Sequence, residues 1–331
     1  ELTPGEVTHP PRRIYYLCDM LKTARKNIRQ LSLPELEQYF DTLGEKKFRA
    51  KQVYEWLWLK GAGSFVAMSN LSKELGLRIN QEFSLPSLTV DTTQVSSDGT
   101  IKSRFRTVDG HLVEGVLIPA EERKTACVSS QIGCSLSCRF CATGYMDRKR
   151  NLEFDEIWDE AVLINRQCEE TYGRKLTNIV FMGMGEPLLN YKNMMGAIAR
   201  ITSPEGLGMS PRRITVSTAG VAKMIKQLGD DNVKFKLAVS LHAANDKKRN
   251  EIMPINETNN LKALVDALNY FYKKTENEIT FEYILFQNFN DSLQDADELI
   301  KIYRQVPADL VNIIEYNPID NATYSKPDDR T

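Results

Sequence analysis

The chain has 331 residues, 42% of them apolar and 26% charged, with a formal net charge of −1. That is an ordinary globular composition with ample core material, and without a run of about 18 apolar residues it predicts no membrane-spanning helix. Six cysteines, four of them within residues 127–141, and an N-terminus lacking the charged and apolar regions of a signal peptide point to a reduced cytoplasmic setting. They predict a metal cofactor rather than disulfide staples. The near-zero charge does not advertise a nucleic-acid binder. Basic residues nonetheless group at Lys22 to Arg29, Lys46 to Lys51, Arg148 to Arg150, Arg212-Arg213 and Lys247 to Arg249. Such groups form either phosphate-contacting patches or plain solvated faces.

In chain order, residues 1–30 read as an extension with Pro10-Pro11 and a basic helical stretch from Tyr15 to Ile28. Residues 31–85 predict a compact helical domain. Ser32 caps the first helix, with Pro34 in its first turn and Leu36, Tyr39 and Phe40 at helical spacing. A second helix from Lys47 turns Val53, Trp56 and Leu57 inward and ends near Gly61; a third spans Lys73 to Glu82. Residues 86–123 alternate with period two: strands Val90 to Ser96, Ile101 to Thr107 and His111 to Ile118 are joined by turns at Asp98-Gly99 and Asp109-Gly110. This predicts an antiparallel meander.

From residue 124 to 331 the pattern is strand, loop, helix, repeated. The predicted strands are Ala126–Ser130, Asn178–Met182, Ile214–Ser217, Phe235–Ser240, Thr280–Leu285 and Val311–Tyr316, with helices near 154–170, 190–202, 220–228, 260–274 and 292–304. Strands alternating with helices of this length predict an α/β fold with a parallel sheet. The first of these helices aligns Phe154, Ile157, Ala161 and Ile164 on one face, with Cys168 on the same apolar side.

The first strand runs into the stretch that carries most chemistry. Cys134, Cys138 and Cys141 stand in a C-x3-C-x2-C spacing, with Phe140 before the last thiol. Three thiolates can hold three irons of a [4Fe–4S] cluster and leave the fourth iron open. The C-terminal end of a strand is also where α/β barrels place their chemistry. Two alternatives stand beside this: small buried hydrophobes, or a four-thiolate zinc site completed by Cys127. Zinc favours paired knuckles, whereas here there is one tight trio and an outlier seven residues upstream. Colour separates these readings, since an iron–sulfur protein is brown and a zinc protein colourless.

The trio with its aromatic resembles the signature of radical S-adenosylmethionine (radical SAM) enzymes. The flanking Cys127-Val-Ser-Ser-Gln, Gly133-Cys134 and Cys141-Ala-Thr-Gly144 are similar to the RlmN/Cfr family of adenine-methylating RNA enzymes. Over roughly residues 31–331 the resemblance implies a radical SAM partial (β/α)6 barrel, with the helical domain helping to hold RNA. It implies a [4Fe–4S] cluster on Cys134, Cys138 and Cys141, and S-adenosylmethionine on the open iron. Gly185-Glu186, within Phe181 to Pro187, correspond to the segment that holds the cofactor's amino group. Ser217, Ser240-Leu241-His242 and Asn317 match cofactor-contacting positions at strand ends. A lone Ser or Asn there is more often a cap, but strand ends converging on one rim are how barrel sites are assembled.

Glu114 occupies the family's proton-acceptor position, although its alternating strand alone suggests a surface carboxylate. Cys127 matches the non-ligand cysteine that helps resolve a covalent protein–RNA adduct. A second, C-terminal cysteine carries the methyl group in that family, and no cysteine follows Cys168. The chain stops in a polar loop after the last strand, which predicts that the native protein continues. As it stands, the chain is expected to bind cluster and cofactor without completing methylation. One departure is Asp147-Arg148, where the family has a glycine and an aromatic before Arg150-Asn151-Leu152. The implied reaction starts from an electron supplied by a flavodoxin-type donor. It proceeds through a deoxyadenosyl radical and a methyl-cysteine to C2 of an adenine in 23S rRNA and in tRNA. C8 methylation is the alternative, and a non-catalytic, zinc-stabilised RNA-binding module is the rival of another class. A monomer without membrane attachment is expected.

Overall fold

The computed structural model describes residues 25–320 and 323–328. Most of the basic stretch Tyr15 to Ile28 therefore lies outside the described residues. The chain divides into two compact units, one up to Ser87 and one from Leu88.

In the first unit Lys26–Asn27 (β1) pairs in parallel with Phe83–Ser84 (β2), and Ile28–Gln30 forms a 3-10 turn. The last residues of the stretch predicted as helix are thus extended instead. Three helices follow: α1 (Leu33–Thr42), α2 (Lys47–Trp58) and α3 (Lys73–Glu82). Ser32 opens α1 through a reciprocal capping box with Glu35, whose carboxylate accepts the Ser32 N–H at 2.7 Å. Leu36 and Phe40 of α1 face Ala50, Val53, Tyr54, Leu57 and Trp58 of α2, all of them buried. That seam steps i, i+3, i+4, i+7, i+8 from Ala50 and leaves Trp56 at its margin. Expected in the core, Trp56 is half-buried and donates its indole N–H to Asn70 Oδ1 at 2.6 Å.

The second unit is built on a nine-stranded sheet of order β13-β12-β11-β10-β9-β6-β5-β4-β3. β3 (Thr89–Val95), β4 (Ile101–Arg106) and β5 (Leu112–Pro119) form the antiparallel meander, and β5 pairs antiparallel with β6 (Lys124–Cys127). From β6 onward, β9 (Asn178–Phe181), β10 (Ile214–Thr218), β11 (Lys236–Ser240), β12 (Ile279–Leu285) and β13 (Leu310–Glu315) add in parallel and in sequence order. A separate ribbon, β7 (Gln131–Ile132) with β8 (Arg150–Asn151), brackets the cysteine loop. The connecting helices are α4 (Phe154–Tyr172), α5 (Tyr191–Thr202), α6 (Ala222–Asp230), α7 (Asp246–Ile252), α8 (Leu261–Thr275) and α9 (Leu293–Tyr303). Six successive parallel strands with their helices are the predicted open (β/α)6 arrangement. Its central strands are buried where they should be, at Ile214 and Val216 on β10 and Leu237 to Val239 on β11. Among the described residues no helix is long and apolar enough to cross a membrane.

Three sequence expectations are corrected. β6 ends at Cys127, not Ser130: the Val128 N–H still bonds the Val180 carbonyl of β9 at 2.9 Å, but the Ser130 N–H turns to that of Met184, beyond the end of β9, at 2.9 Å. The short helix α7 was not anticipated; its residues read only as the basic group Lys247 to Arg249. Finally, that group is not one solvated patch. Arg249 is fully buried, and Lys248 pairs with Asp295.

Candidate active site

The cysteine loop is held by close backbone approach. Gly133 has φ +74°, and a Cβ there would fall on the Asp147 carbonyl. A Cβ on Gly144 would fall on the Cys138 backbone. Ser137, just before the second thiol, is left-handed at φ +53°. Leu136, Cys138 and Phe140 pack against a buried cluster of Ala219, Ala243, Ile252, Met253, Phe286 and Tyr316. The Arg139 N–H donates to the Ile252 carbonyl at 3.0 Å, and the Phe140 ring meets His242 edge-on at 4.7 Å.

Cys134, Cys138 and Cys141 are free and partly exposed. Burial pushes the Cys138 thiol up to about 12, with the charges of Cys141 and Cys134 adding to it, and it raises Cys134 as well. The thiols are therefore close enough to act on one another. Yet among the described residues no three His, Cys, Asp or Glu side chains gather tightly enough for a single ion. Three thiols on one loop are the donor set of a polynuclear iron–sulfur cluster.

The Phe181 to Pro187 turn follows β9 and docks on the segment after β6. Gly185 has φ +90° and lies against the Gln131 side chain, while Gln131 Oε1 accepts the Glu186 N–H at 2.9 Å. Glu186 is buried, and its carboxylate accepts the Leu188 N–H at 3.0 Å and the Ala219 N–H at 2.7 Å. Burial raises its pKa to about 7, against the lowering effect of these bonds. Glu186 thus ties the end of β9 to the end of β10. A carboxylate offers about four acceptor sites, so it retains capacity for a cationic ligand.

Ser217 is half-buried on β10, paired with Ala238, and Ser240 closes β11 opposite Glu282. Leu241 is fully buried, and His242 is left-handed at φ +54°. The His242 Nδ1 accepts the Ile284 N–H at 3.1 Å, and its carbonyl accepts from the Asn290 side chain at 2.7 Å. Burial, with the Arg249 charge, depresses its pKa to about 3, so the ring is neutral. Asn317 is exposed on the segment after β13. Glu186, His242 and the cysteine loop are thus joined through Ala219 and Phe140.

Glu114 sits on β5, where its carboxylate pairs with Lys102 at 2.7 Å and its carbonyl accepts the Ser129 hydroxyl at 2.6 Å. Cys127 ends β6 opposite Val180; burial, with Glu160 adding, pushes its thiol up to about 12. Cys168 is fully buried on α4, as its apolar spacing predicted.

Sequence reasoning missed four residues that organise this site. Ser129 accepts the Met184 N–H at 2.8 Å and so joins Glu114's strand to the Gly185-Glu186 turn. Gln131 braces the same turn. Glu160, fully buried on α4, accepts the Ser129 N–H at 2.7 Å, while its other oxygen meets no donor among the described residues. Arg249 lies under the rim. A signal existed for Glu160: it lies between Ile157 and Ile164 on the helix's apolar face, where a carboxylate is out of place.

Comparison with known proteins accords with this geometry. The family of ribosomal RNA large subunit methyltransferase N-terminal domains matches residues 26–85, and the radical SAM superfamily matches residues 128–300. A probable dual-specificity RNA methyltransferase RlmN from Cytophaga hutchinsonii is 58% identical over 313 residues, 93% of this chain and 86% of that protein. The dual-specificity RNA methyltransferase RlmN from Geotalea uraniireducens is 41% identical over 91% of this chain and 85% of its own length. The crystal structure of a radical SAM methyltransferase from Sphaerobacter thermophilus superimposes with a TM-score of 0.86 at 38% identity, covering 92% of this chain and 89% of that one. With cysteine loop, parallel sheet and relatives in agreement, the chain belongs to the radical SAM superfamily and, within it, to the RlmN family of RNA methyltransferases.

Proposed function

We propose that the protein methylates C2 of an adenine in 23S ribosomal RNA and in transfer RNA, a reaction that also needs the methyl-carrying cysteine not found after Cys168 in this chain. The observation that carries this reading is the interlocking of three segments at one end of the parallel sheet. Phe140 of the cysteine loop rests on His242 after β11, and Glu186 after β9 grips the Ala219 N–H after β10. A ligand seated there would meet all three at once.

Cys134, Cys138 and Cys141 would hold the [4Fe–4S] cluster, and the Gly185-Glu186 turn, Ser217, Ser240 to His242 and Asn317 would receive S-adenosylmethionine. Bound there, the cluster would supply one electron, drawn from a flavodoxin-type donor, for splitting S-adenosylmethionine into methionine and a 5′-deoxyadenosyl radical. The chain's own residues bind, orient and exclude water. Glu186 presents a carboxylate to the cofactor's ammonium from a buried, low-dielectric position, where such a pairing is strengthened. His242, held neutral, offers an uncharged edge beside Phe140 instead of a competing cation. Cys127 and Glu114 sit on adjacent strands, joined by Ser129, and are assigned to proton and thiol chemistry on the RNA adduct. Both need release from their present state, Cys127 from a raised pKa and Glu114 from its pairing with Lys102.

Anaerobic reconstitution should give a brown protein with about four irons and four sulfides per chain. Mass spectrometry of 23S and transfer RNA from cells with and without the gene should show 2-methyladenine lost on deletion. A colourless protein that retains zinc, or 8-methyladenine as the product that disappears, overturns the reading.

A further inference from the structure

Resting on the cofactor site just proposed, we infer that Arg249 is a positioning residue for it. Its buried guanidinium fastens the ends of β10 and β11 and helix α7 into one support beneath Glu186, His242 and the cysteine loop. The side chain is 0% exposed. One Nη2 donates to the carbonyls of Ala219 at 2.7 Å and Ser240 at 3.1 Å, Nε to that of Leu241 at 3.1 Å, and Nη1 to Asn256 Oδ1 at 2.6 Å. Ala219 is gripped from both sides, because its N–H goes to Glu186 Oε2 and its carbonyl to Arg249. Ser240 and Leu241 are the residues that lead into His242. From the other end of α7, the Ile252 carbonyl accepts the Arg139 N–H inside the cysteine loop.

Each of the four hydrogen-bond acceptors is neutral. A fully buried guanidinium without a carboxylate in hydrogen-bond contact is costly, so a site that keeps one uses either its fork or its charge. The fork is used in full: only a planar group with several donors reaches three carbonyls and an amide at once. The charge has an anionic neighbour in Asp246, which Asn256 links to the guanidinium through its own bond to Asp246 Oδ1 at 2.8 Å. It also helps to keep His242 neutral. A mere strut would require none of these convergences on the segments assigned to one ligand.

The test uses the full, anaerobically reconstituted protein and reads S-adenosylmethionine affinity by equilibrium titration, with iron content and thermal melting alongside. Arg249→Lys keeps the charge and loses the fork, so the Kd for S-adenosylmethionine should rise about tenfold or more at parent-like iron content. Asn256→Ala keeps the arginine and removes one of its anchors, and should shift the Kd the same way by about threefold. It also provides the measurement should Arg249→Lys not fold. A Kd within error of the parent in the folded variants, with only the melting temperature lowered, makes Arg249 a structural strut and overturns the inference. Failure of the parent to bind S-adenosylmethionine instead overturns the cofactor assignment itself, so the two failures are distinct.

Discussion

Glu186 and His242 show how burial sets the charge state of single residues at the rim, and with opposite signs. The folded pKa of Glu186 is raised from 4.5 to about 7. In that window the folded state holds more protons than the unfolded one, so this group's contribution falls as pH rises, by on the order of 3 kcal/mol. The folded pKa of His242 is lowered from 6.5 to about 3. Here the unfolded state holds more protons, so stability is lost as pH falls from 6.5 toward 3. Between pH 4.5 and 6.5 the two slopes oppose each other. Glu186→Gln should therefore unmask His242: the variant's melting temperature should climb with pH more steeply than the parent's. S-adenosylmethionine should bind the parent more tightly at pH 7.5 than at pH 6, because its ammonium favours ionised Glu186, and Glu186→Gln should lose that dependence. A parent affinity flat across this range would remove Glu186 as the ammonium's partner.

At the level of elements, the cysteine loop is defined by how near its backbone strands approach one another. A Cβ on Gly144 would need the place of the Cys138 backbone, which cannot swing aside as a flexible side chain can. Gly144→Ala should force the loop open, separate Cys138 from Cys141, and drop iron content to less than half of the parent's while far-UV circular dichroism is unchanged. Gly173, which ends α4 at φ +63° with nothing near its Cβ position, is the control. Gly173→Ala should cost about 1 kcal/mol of stability and leave iron content alone. Equal iron loss in both variants would point to general destabilisation rather than loop geometry. The first turn of α4 adds a second clamp. Arg150 of β8, at the loop's exit, bonds both Glu156 at 2.6 Å and Asp109 of the β4–β5 turn at 2.7 Å.

Across the whole molecule, the net charge of −1 means that RNA must be met by local patches, and the fold decides which basic groups are free. Arg249 is buried and Arg150 is paired within the protein. Lys46, Lys47 and Lys51 at the start of α2 are exposed beside exposed Phe48, and Arg212-Arg213 are exposed before β10. Replacing Lys46, Lys47 and Lys51 by Glu should weaken RNA binding about uniformly across sequences and lower its salt dependence, without altering the Kd for S-adenosylmethionine. Gel-shift titrations at two salt concentrations read this. Unchanged RNA affinity would exclude the α2 patch from the interface.

Much of this was legible in the sequence because local rules dominated. Period-two alternation and Gly-containing turns placed β3 to β5, and apolar runs alternating with amphipathic helices placed five of the six parallel strands within a residue and β6 within three. The cysteine spacing marked the loop. Where β6 ends was not legible, because the Ser130 N–H leaves the ladder for the carbonyl of Met184, distant in sequence. Nor could Lys247 to Arg249 be read correctly: a run of cations looks solvated until a helix turns one of them under three strand-end carbonyls. The same holds for Glu160, Ser129 and Gln131. Residue type and spacing determine which chemistry a chain can hold, whereas the partners of buried polar groups come from segments tens of residues away, and only the packed sheet brings them together.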